Sequence, residues 1–158
     1  INSSLTRHAL EMEQAIDMGS PGTFFHTLFK SVDNKLVHSG INATNSGSCC
    51  ISILMSKNRC YIANLGDSRA ILCRETELGQ ISVLDLSSDH KPTRQDEQSR
   101  ILQVGGIIEP IYFNGSPIGP ARVWNKAKDT GLAMTRAFGD IKGKQAGLVS
   151  EPELTQLD

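Results

Sequence analysis

Apolar positions at the start of the chain follow the period of an α-helix. They recur every three or four residues in two groups, which are Leu5, Ala9, Met12 and Ile16, and then Phe25, Leu28, Val32 and Leu36. The sequence GSPG at 19–22 separates the groups, and Gly40 follows the second one. Because glycine and proline interrupt helices, the pattern predicts two amphipathic helices that end near these positions.

The apolar pattern changes after the polar segment 42–48. Short runs rich in Ile, Leu and Cys then follow one another: Cys49–Met55, Cys60–Leu65, Ala70–Cys73 and Ile81–Leu86. Consecutive short strands joined by tight turns predict an antiparallel meander, with the GDSR sequence at 66–69 as a hairpin turn. Since these strands are apolar on both faces, we expect both faces to be covered.

A third helix and a long segment without clear periodicity follow the strands. Thr93 is predicted as the N-cap, with acidic residues in the first turn, and Gly105-Gly106 ends the helix. Residues 107–128 contain prolines, glycines and a basic group around Trp124, and are predicted to be irregular. Such a segment is typical of a binding loop or lid, or of a solvated surface loop.

Composition and charge narrow the class of protein. The 158 residues are 39% hydrophobic and 21% charged, which is typical of one globular domain. The net charge of −1 argues against a nucleic-acid-binding protein, and no apolar run reaches the length of about 20 residues that a membrane span needs. None of the four cysteines forms a C-x-x-C pair, so we expect buried free thiols in a reducing, cytoplasmic or nuclear compartment rather than a zinc or disulfide site.

Four segments carry motifs in a fixed order. They are SGSCCISILMSKNRCYIANLGDSRAILCR (46–74), SSDHKPTRQDEQSRILQVGGII (87–108), GLAMTRAFGD (131–140) and VSEPEL (149–154). Together they resemble the type 2C protein phosphatases, the metal-dependent serine/threonine phosphatases. The resemblance covers most of the chain and is weakest over the N-terminal helices.

The resemblance implies a fold, a cofactor and a reaction. The fold is α+β, an antiparallel β-sandwich flanked by helix pairs, here incomplete. The cofactors are two Mg²⁺ or Mn²⁺ ions. Asp140 matches a metal-ligating aspartate of the family, and Asp67 matches an aspartate beside the metals that binds a further, weaker ion. The reaction is hydrolysis of phosphoserine or phosphothreonine in protein substrates by a metal-activated water, and the intact enzyme is expected to be a monomer.

Other charged or nucleophilic residues have less specific signals than the aspartates. Arg122 and Lys126 lie where the family has its flap, and their positive charge would suit a phosphorylated substrate. Arg136 lies near the metal motif and could equally be a buried ion-pair partner. His90 is expected to make a structural hydrogen bond, and Ser68 has no neighbouring histidine to activate it.

The sequence also departs from the family pattern. The upstream D-G-H-G motif, with its general acid, and the downstream D-G-x-W-D motif do not occur in it. Cys49-Cys50 replaces the usual Thr-Ala. We therefore expect a fragment from inside an active phosphatase domain, inactive on its own. The alternative is a pseudophosphatase scaffold that binds partner proteins without catalysis.

Overall fold

The structure is a computed structural model that describes residues 10–16, 18–56 and 58–158, so Leu5 and Ala9 of the first predicted helix lie outside it. Its helices are α1 (10–16), α2 (Pro21–Val37), α3 (Gln95–Gln103) and α4 (Ile141–Gln145). Its strands are β1 (Gly47–Ser48), β2 (Cys50–Ser56), β3 (Arg59–Leu65), β4 (Ile71–Glu75), β5 (Ile81–Asp85), β6 (Ile107–Phe113), β7 (Ser116–Trp124), β8 (Phe138–Gly139) and β9 (Glu153–Leu157). The predicted class, helices with antiparallel sheets, is confirmed. None of the described helices is both long and apolar enough to span a membrane.

The described strands pair into four small antiparallel sheets. One has three strands in the order β2-β3-β9, and the others are the pairs β1-β8, β4-β5 and β6-β7. Helix α2 covers one face of β3, where Phe25 and Phe29 pack against Tyr61. Ile62, the next residue along β3, packs on the opposite side with Leu86. The central strand is thus buried on both faces, as its apolar sequence predicts.

The GDSR sequence is not a hairpin turn, contrary to the prediction. Both edges of β3 are occupied, by β2 on one side and β9 on the other, so β4 pairs with β5 instead. Gly66, with a φ of 100°, turns the chain out of the first sheet. Residues 66–69 therefore connect two different sheets.

The side chains of β4 and β5 are mostly exposed, because these two strands pair with each other and not with the central sheet. The expectation that both faces of every strand are covered is therefore wrong for this pair. All residues of β5 and most of β4 are exposed, including Ile71, Ile81 and Val83. Among the described residues, these two strands form sheet pairs only with each other. Strands without a further sheet partner leave their apolar side chains in solvent.

Most of the segment 107–128 is regular, which corrects the prediction of an irregular segment. Strands β6 and β7 form an antiparallel hairpin around Asn114 and Gly115. These two residues have φ values of 50° and 78°, as a tight hairpin turn requires. A register shift after Glu109 accommodates Pro110, which has no N–H to donate to a ladder.

Helix α3 ends as predicted but begins later. The N–H of Gly105 donates to the carbonyl of Leu102, and the N–H of Gly106 donates to the carbonyl of Ile101, both at 3.0 Å. This pair of bonds is a Schellman motif, which closes the helix with a left-handed glycine. The N-cap is Arg94 rather than Thr93, and among the described residues no side chain caps the first turn.

Candidate functional site

Asp140 lies at the start of α4, in a backbone conformation that is uncommon for a residue other than glycine. Its φ of 45° and ψ of 54° are left-handed. The preceding Gly139 is also left-handed and pairs with Gly47 in the short β1-β8 ladder. The N–H of Asp140 donates to the carbonyl of Ser46 at 2.8 Å. This ladder therefore fixes the backbone from which the Asp140 side chain extends.

Asp140 is a buried residue whose carboxylate has no hydrogen-bond donor among the described residues. The residue is 5% exposed, and within the described part of the chain no group donates a hydrogen bond to its carboxylate. Burial raises the pKa of Asp140, and the positive charge of Lys144 offsets this only in part. A buried carboxylate in this state is costly unless a cation neutralises it.

Gly47 approaches Asp140 so closely that a side chain at position 47 would not fit. A β-carbon built there would lie 2.6 Å from Cγ of Asp140 and would also meet the carbonyl of Phe138. Glycine permits such a close approach because it has no β-carbon. The glycine of the SGS sequence thus leaves room for the carboxylate.

Asp67, in the turn after β3, is partly buried and already has partners. Its carboxylate accepts a hydrogen bond from the Cys49 thiol at 3.3 Å and pairs with Nζ of Lys91. Burial raises the pKa of Asp67, but the Lys91 ammonium and the Cys49 thiol outweigh it, and the net pKa is lowered. A cation at Asp67 would have to compete with Lys91.

The two aspartates meet opposite ends of one short segment. Gly47 lies against Asp140, and Cys49, two residues later, contacts Asp67. Within the described ranges, no three His, Cys, Asp or Glu side chains are arranged to hold a metal ion. Carboxylate oxygens are nevertheless the ligands that Mg²⁺ and Mn²⁺ prefer. Asp140 fits such an ion better than Asp67, because it is a buried residue and no other described group donates to its carboxylate.

His90 has a structural position, as expected from its sequence context. It is fully buried. Its ring Nδ1 accepts a hydrogen bond from the N–H of Gly66 at 3.1 Å, and its backbone N–H donates to the carbonyl of Gly66 at 3.0 Å. Its Nε2 lies 3.1 Å from Oε2 of Glu153, outside hydrogen-bond geometry. Burial lowers the pKa of His90. The ring thereby fixes the turn that carries Asp67.

Arg136 is an ion-pair partner, which is one of the two roles that the sequence suggests for it. Its Nη2 donates to Oε1 of Glu97 at 2.6 Å, and its Nη1 donates to the carbonyl of Glu151 at 2.8 Å. Glu97 is fully buried and also pairs with Arg100 and accepts a hydrogen bond from Thr135. This cluster anchors the segment that leads to Asp140.

The sequence patterns do not identify two buried acids that support the site, Glu97 and Asp33. Asp33 continues the buried stripe of Phe25 and Phe29 at intervals of four residues, and this spacing is the signal that could have revealed it. Glu97 likewise lies four residues before Ile101 on the buried face of α3, although an acidic residue in a first helical turn is ordinarily exposed.

Arg122 and Lys126 lie on and just after β7, and the described contacts do not bring them to either aspartate. Nη1 of Arg122 donates to the carbonyl of Gly131 at 2.8 Å. Lys126 is exposed, and its side chain passes near Gly105. Their role toward a substrate stays a prediction.

Comparisons with known proteins identify the family of the chain. The family model for Protein phosphatase 2C matches residues 17–158. The chain is 40% identical over 128 residues to "Probable protein phosphatase 2C 73" of Arabidopsis thaliana, which covers 80% of this chain and 34% of that protein. It is 41% identical over 133 residues to "Probable protein phosphatase 2C 73" of Oryza sativa subsp. japonica, which covers 82% of this chain and 31% of that protein. The chain thus spans about a third of the length of these curated relatives.

Solved structures share the fold. The serine-threonine phosphatase 2C from Toxoplasma gondii superposes with a TM-score of 0.74 at 24% identity, covering 94% of this chain and 49% of that one. A C. elegans sex determining protein superposes with a TM-score of 0.60 at 24% identity, covering 87% of this chain and 29% of that one. At these identities the likeness concerns the fold.

Proposed function

Since the chain belongs to the protein phosphatase 2C family, we propose that it is part of the catalytic domain of a metal-dependent protein serine/threonine phosphatase. The observation that carries the proposal is Asp140, a residue that is 5% exposed and whose carboxylate accepts no hydrogen bond from the described residues. A buried anion of this kind, held on a left-handed backbone, is suited to a hard divalent cation.

The residues of this chain have distinct parts in the proposed reaction. When bound, Mg²⁺ or Mn²⁺ would lower the pKa of water and so supply hydroxide as the nucleophile for phosphate ester hydrolysis near neutral pH. Asp140 would hold such an ion through its carboxylate, and Asp67 would hold a weaker one in competition with Lys91. Arg122 and Lys126 would attract the phosphorylated segment of a protein substrate through their positive charge.

The surroundings of the protein follow from the same proposal. All four cysteines are free, which suits a reducing compartment such as the cytoplasm or nucleus. The expectation that they are buried is wrong, since three are half-buried and Cys73 is exposed. The partners we propose are phosphorylated proteins, and we propose that the whole enzyme works as a monomer.

The test is hydrolysis of phosphoserine and phosphothreonine peptides by the full-length polypeptide that contains this chain. We expect turnover with Mn²⁺, none after chelation, and a sharp loss in Asp140→Asn. Asp129→Asn is the matched control, because Asp129 is an exposed residue whose carboxylate pairs with Lys142 of α4, the helix that begins just after Asp140. Absence of turnover in the metal-loaded protein would contradict the proposal and favour the pseudophosphatase scaffold, which we would then test for binding of phosphoproteins.

A further inference from the structure

We infer that Asp33 is a positioning residue for Asp140: it fixes the backbone before Asp140 and keeps Lys144 away from the Asp140 carboxylate. The inference rests on the proposed function, because it concerns how Asp140 is kept ready for a cation. It assigns a role to a residue of α2 that is far from Asp140 in sequence.

The contacts of Asp33 reach both sides of Asp140 along the chain. Asp33 is 7% exposed, on the face of α2 that carries Phe25 and Phe29. Its Oδ1 accepts a hydrogen bond from the N–H of Gly139 at 2.9 Å, and its Oδ2 pairs with Nζ of Lys144. Asp33 thus binds the residue just before Asp140 and the lysine one helical turn after it.

The hydrogen bond from Gly139 to Asp33 helps to fix the backbone conformation at Gly139 and Asp140. Gly139 and Asp140 have consecutive positive φ values of 69° and 45°. The left-handed conformation is unfavourable for Asp140, so it persists only where neighbouring contacts impose it. The Asp33 carboxylate is such a contact, because it holds the Gly139 N–H from the buried side.

The ion pair between Asp33 and Lys144 determines where the positive charge of Lys144 lies relative to Asp140. Asp140 and Lys144 are four residues apart, and the N–H of Lys144 donates to the carbonyl of Asp140 as in a helix. An acidic residue four positions before a lysine is the favourable order for an ion pair on a helix. Lys144 would therefore compete with a cation for Asp140, and Asp33 prevents this by taking the ammonium itself.

A purely structural role of the Asp33–Lys144 pair and the proposed positioning role predict different effects of substitutions on cation binding. If the pair only stabilised the fold, removing either partner would weaken the site equally. If Asp33 withholds Lys144, the loss of Asp33 weakens cation binding, the loss of Lys144 does not, and the loss of both restores binding. The three variants separate the two accounts.

The experiment is Mn²⁺ binding measured by titration calorimetry on the full-length polypeptide, with phosphopeptide turnover recorded in parallel. We expect Asp33→Asn to weaken Mn²⁺ binding by about fivefold, the size of one ion pair on a helix or surface. Lys144→Gln should bind at least as tightly as the parent, and Asp33→Asn with Lys144→Gln should recover most of the loss. Asp129→Asn, which breaks the exposed pair with Lys142 on the same helix, should leave binding unchanged.

Each other outcome has a defined meaning. Three results would each overturn the inference. They are unchanged Mn²⁺ binding in Asp33→Asn, weaker Mn²⁺ binding in Lys144→Gln, and a double variant that binds Mn²⁺ no more tightly than Asp33→Asn. If Asp33→Asn does not fold, the result for Lys144→Gln alone still decides between the two accounts. A parent that binds no Mn²⁺ and hydrolyses no phosphopeptide would instead overturn the proposed function. A parent that does both, with no rescue in the double variant, would overturn only the role of Asp33.

Discussion

Glu97 and Arg136 form a buried ion pair that joins α3 to the segment leading to Asp140, with Nη2 of Arg136 2.6 Å from Oε1 of Glu97. Glu97 is fully buried, and its other oxygen accepts hydrogen bonds from Arg100 at 2.6 Å and from the Thr135 hydroxyl. The N–H of Thr135 donates to the carbonyl of His90, whose ring binds the turn before Asp67. One acidic side chain thereby connects the surroundings of both aspartates.

Replacing Glu97 should destabilise the fold strongly. Glu97→Gln leaves the guanidinium groups of Arg100 and Arg136 without their anion, and breaking a buried ion pair from one side costs roughly 3–5 kcal/mol. Urea unfolding of the full-length polypeptide measures the change. The control is Asp96→Asn, an exposed carboxylate on the same helix paired with Arg94, which should cost about 1 kcal/mol or less. Equal effects of the two substitutions would contradict the account.

The contribution of Glu97 to stability should disappear in acid. Burial raises the pKa of Glu97, but hydrogen bonds from Arg100, Arg136 and Thr135 outweigh it and hold the pKa far below its ordinary value of 4.5. The unfolded chain then takes up a proton first, so the stabilisation is present above pH 4.5 and is lost as the pH falls below it.

We therefore predict that the difference in unfolding free energy between the parent and Glu97→Gln is constant near neutral pH. It should shrink as the pH falls from about 4.5 toward about 3. Urea unfolding across this range checks the prediction. A difference that grows in acid would show that the sign of the pKa shift is wrong.

Gly47 should tolerate no side chain. In Gly47→Ala the new methyl group would lie 2.6 Å from Cγ of Asp140, so either the carboxylate or the β1-β8 ladder must move. We expect weaker Mn²⁺ binding and a lower melting temperature. Gly22→Ala is the control, because its methyl group would meet only a side-chain methyl of Leu154 at 3.5 Å, an ordinary contact. If Gly47→Ala binds Mn²⁺ like the parent, the described approach of Gly47 to Asp140 has no functional weight.

Local sequence patterns predicted the elements well and their pairing less well. The apolar periodicity of α2 and the glycines after α3 place these helices, because both signals lie within a few residues of one another. Whether GDSR forms a hairpin depends instead on β9, since that distant strand occupies the edge of β3 that β4 would need. The sequence does not predict the β6-β7 hairpin, because its prolines indicate that a strand is interrupted. In the structure a register shift accommodates Pro110.

The candidate site was predictable only in part. The motif resemblance points to Asp140 and Asp67, and the structure places them at two ends of the segment 47–49. Helical spacing from buried apolar residues is the one sequence signal for the burial of Asp33 and Glu97, and it is weak because both are charged residues that such patterns assign to the surface. They are stable in the interior because cations and backbone N–H groups from distant positions satisfy them.

Arg122 and Lys126 should act on substrate binding rather than on the chemical step. They lie outside the contacts of the two aspartates, and their charge would be felt by a phosphorylated peptide before reaction. Replacing both with alanine should raise KM for a phosphothreonine peptide with kcat little changed. Arg74→Ala, at an exposed arginine of β4, is the control and should change neither constant. A loss confined to kcat would contradict this placement.

The most direct test of the account is the affinity of Asp140 for Mn²⁺. Calorimetric titration should compare the full-length polypeptide with Asp140→Asn, which keeps the shape of the side chain and removes its charge. We predict that Asp140→Asn weakens Mn²⁺ binding by about tenfold or more, and that Asp67→Asn has a smaller effect, because Lys91 already neutralises Asp67. Thermal unfolding of Asp140→Asn should stay close to that of the parent. Equal Mn²⁺ affinity in the parent and in a folded Asp140→Asn would contradict the claim that this buried carboxylate holds the metal.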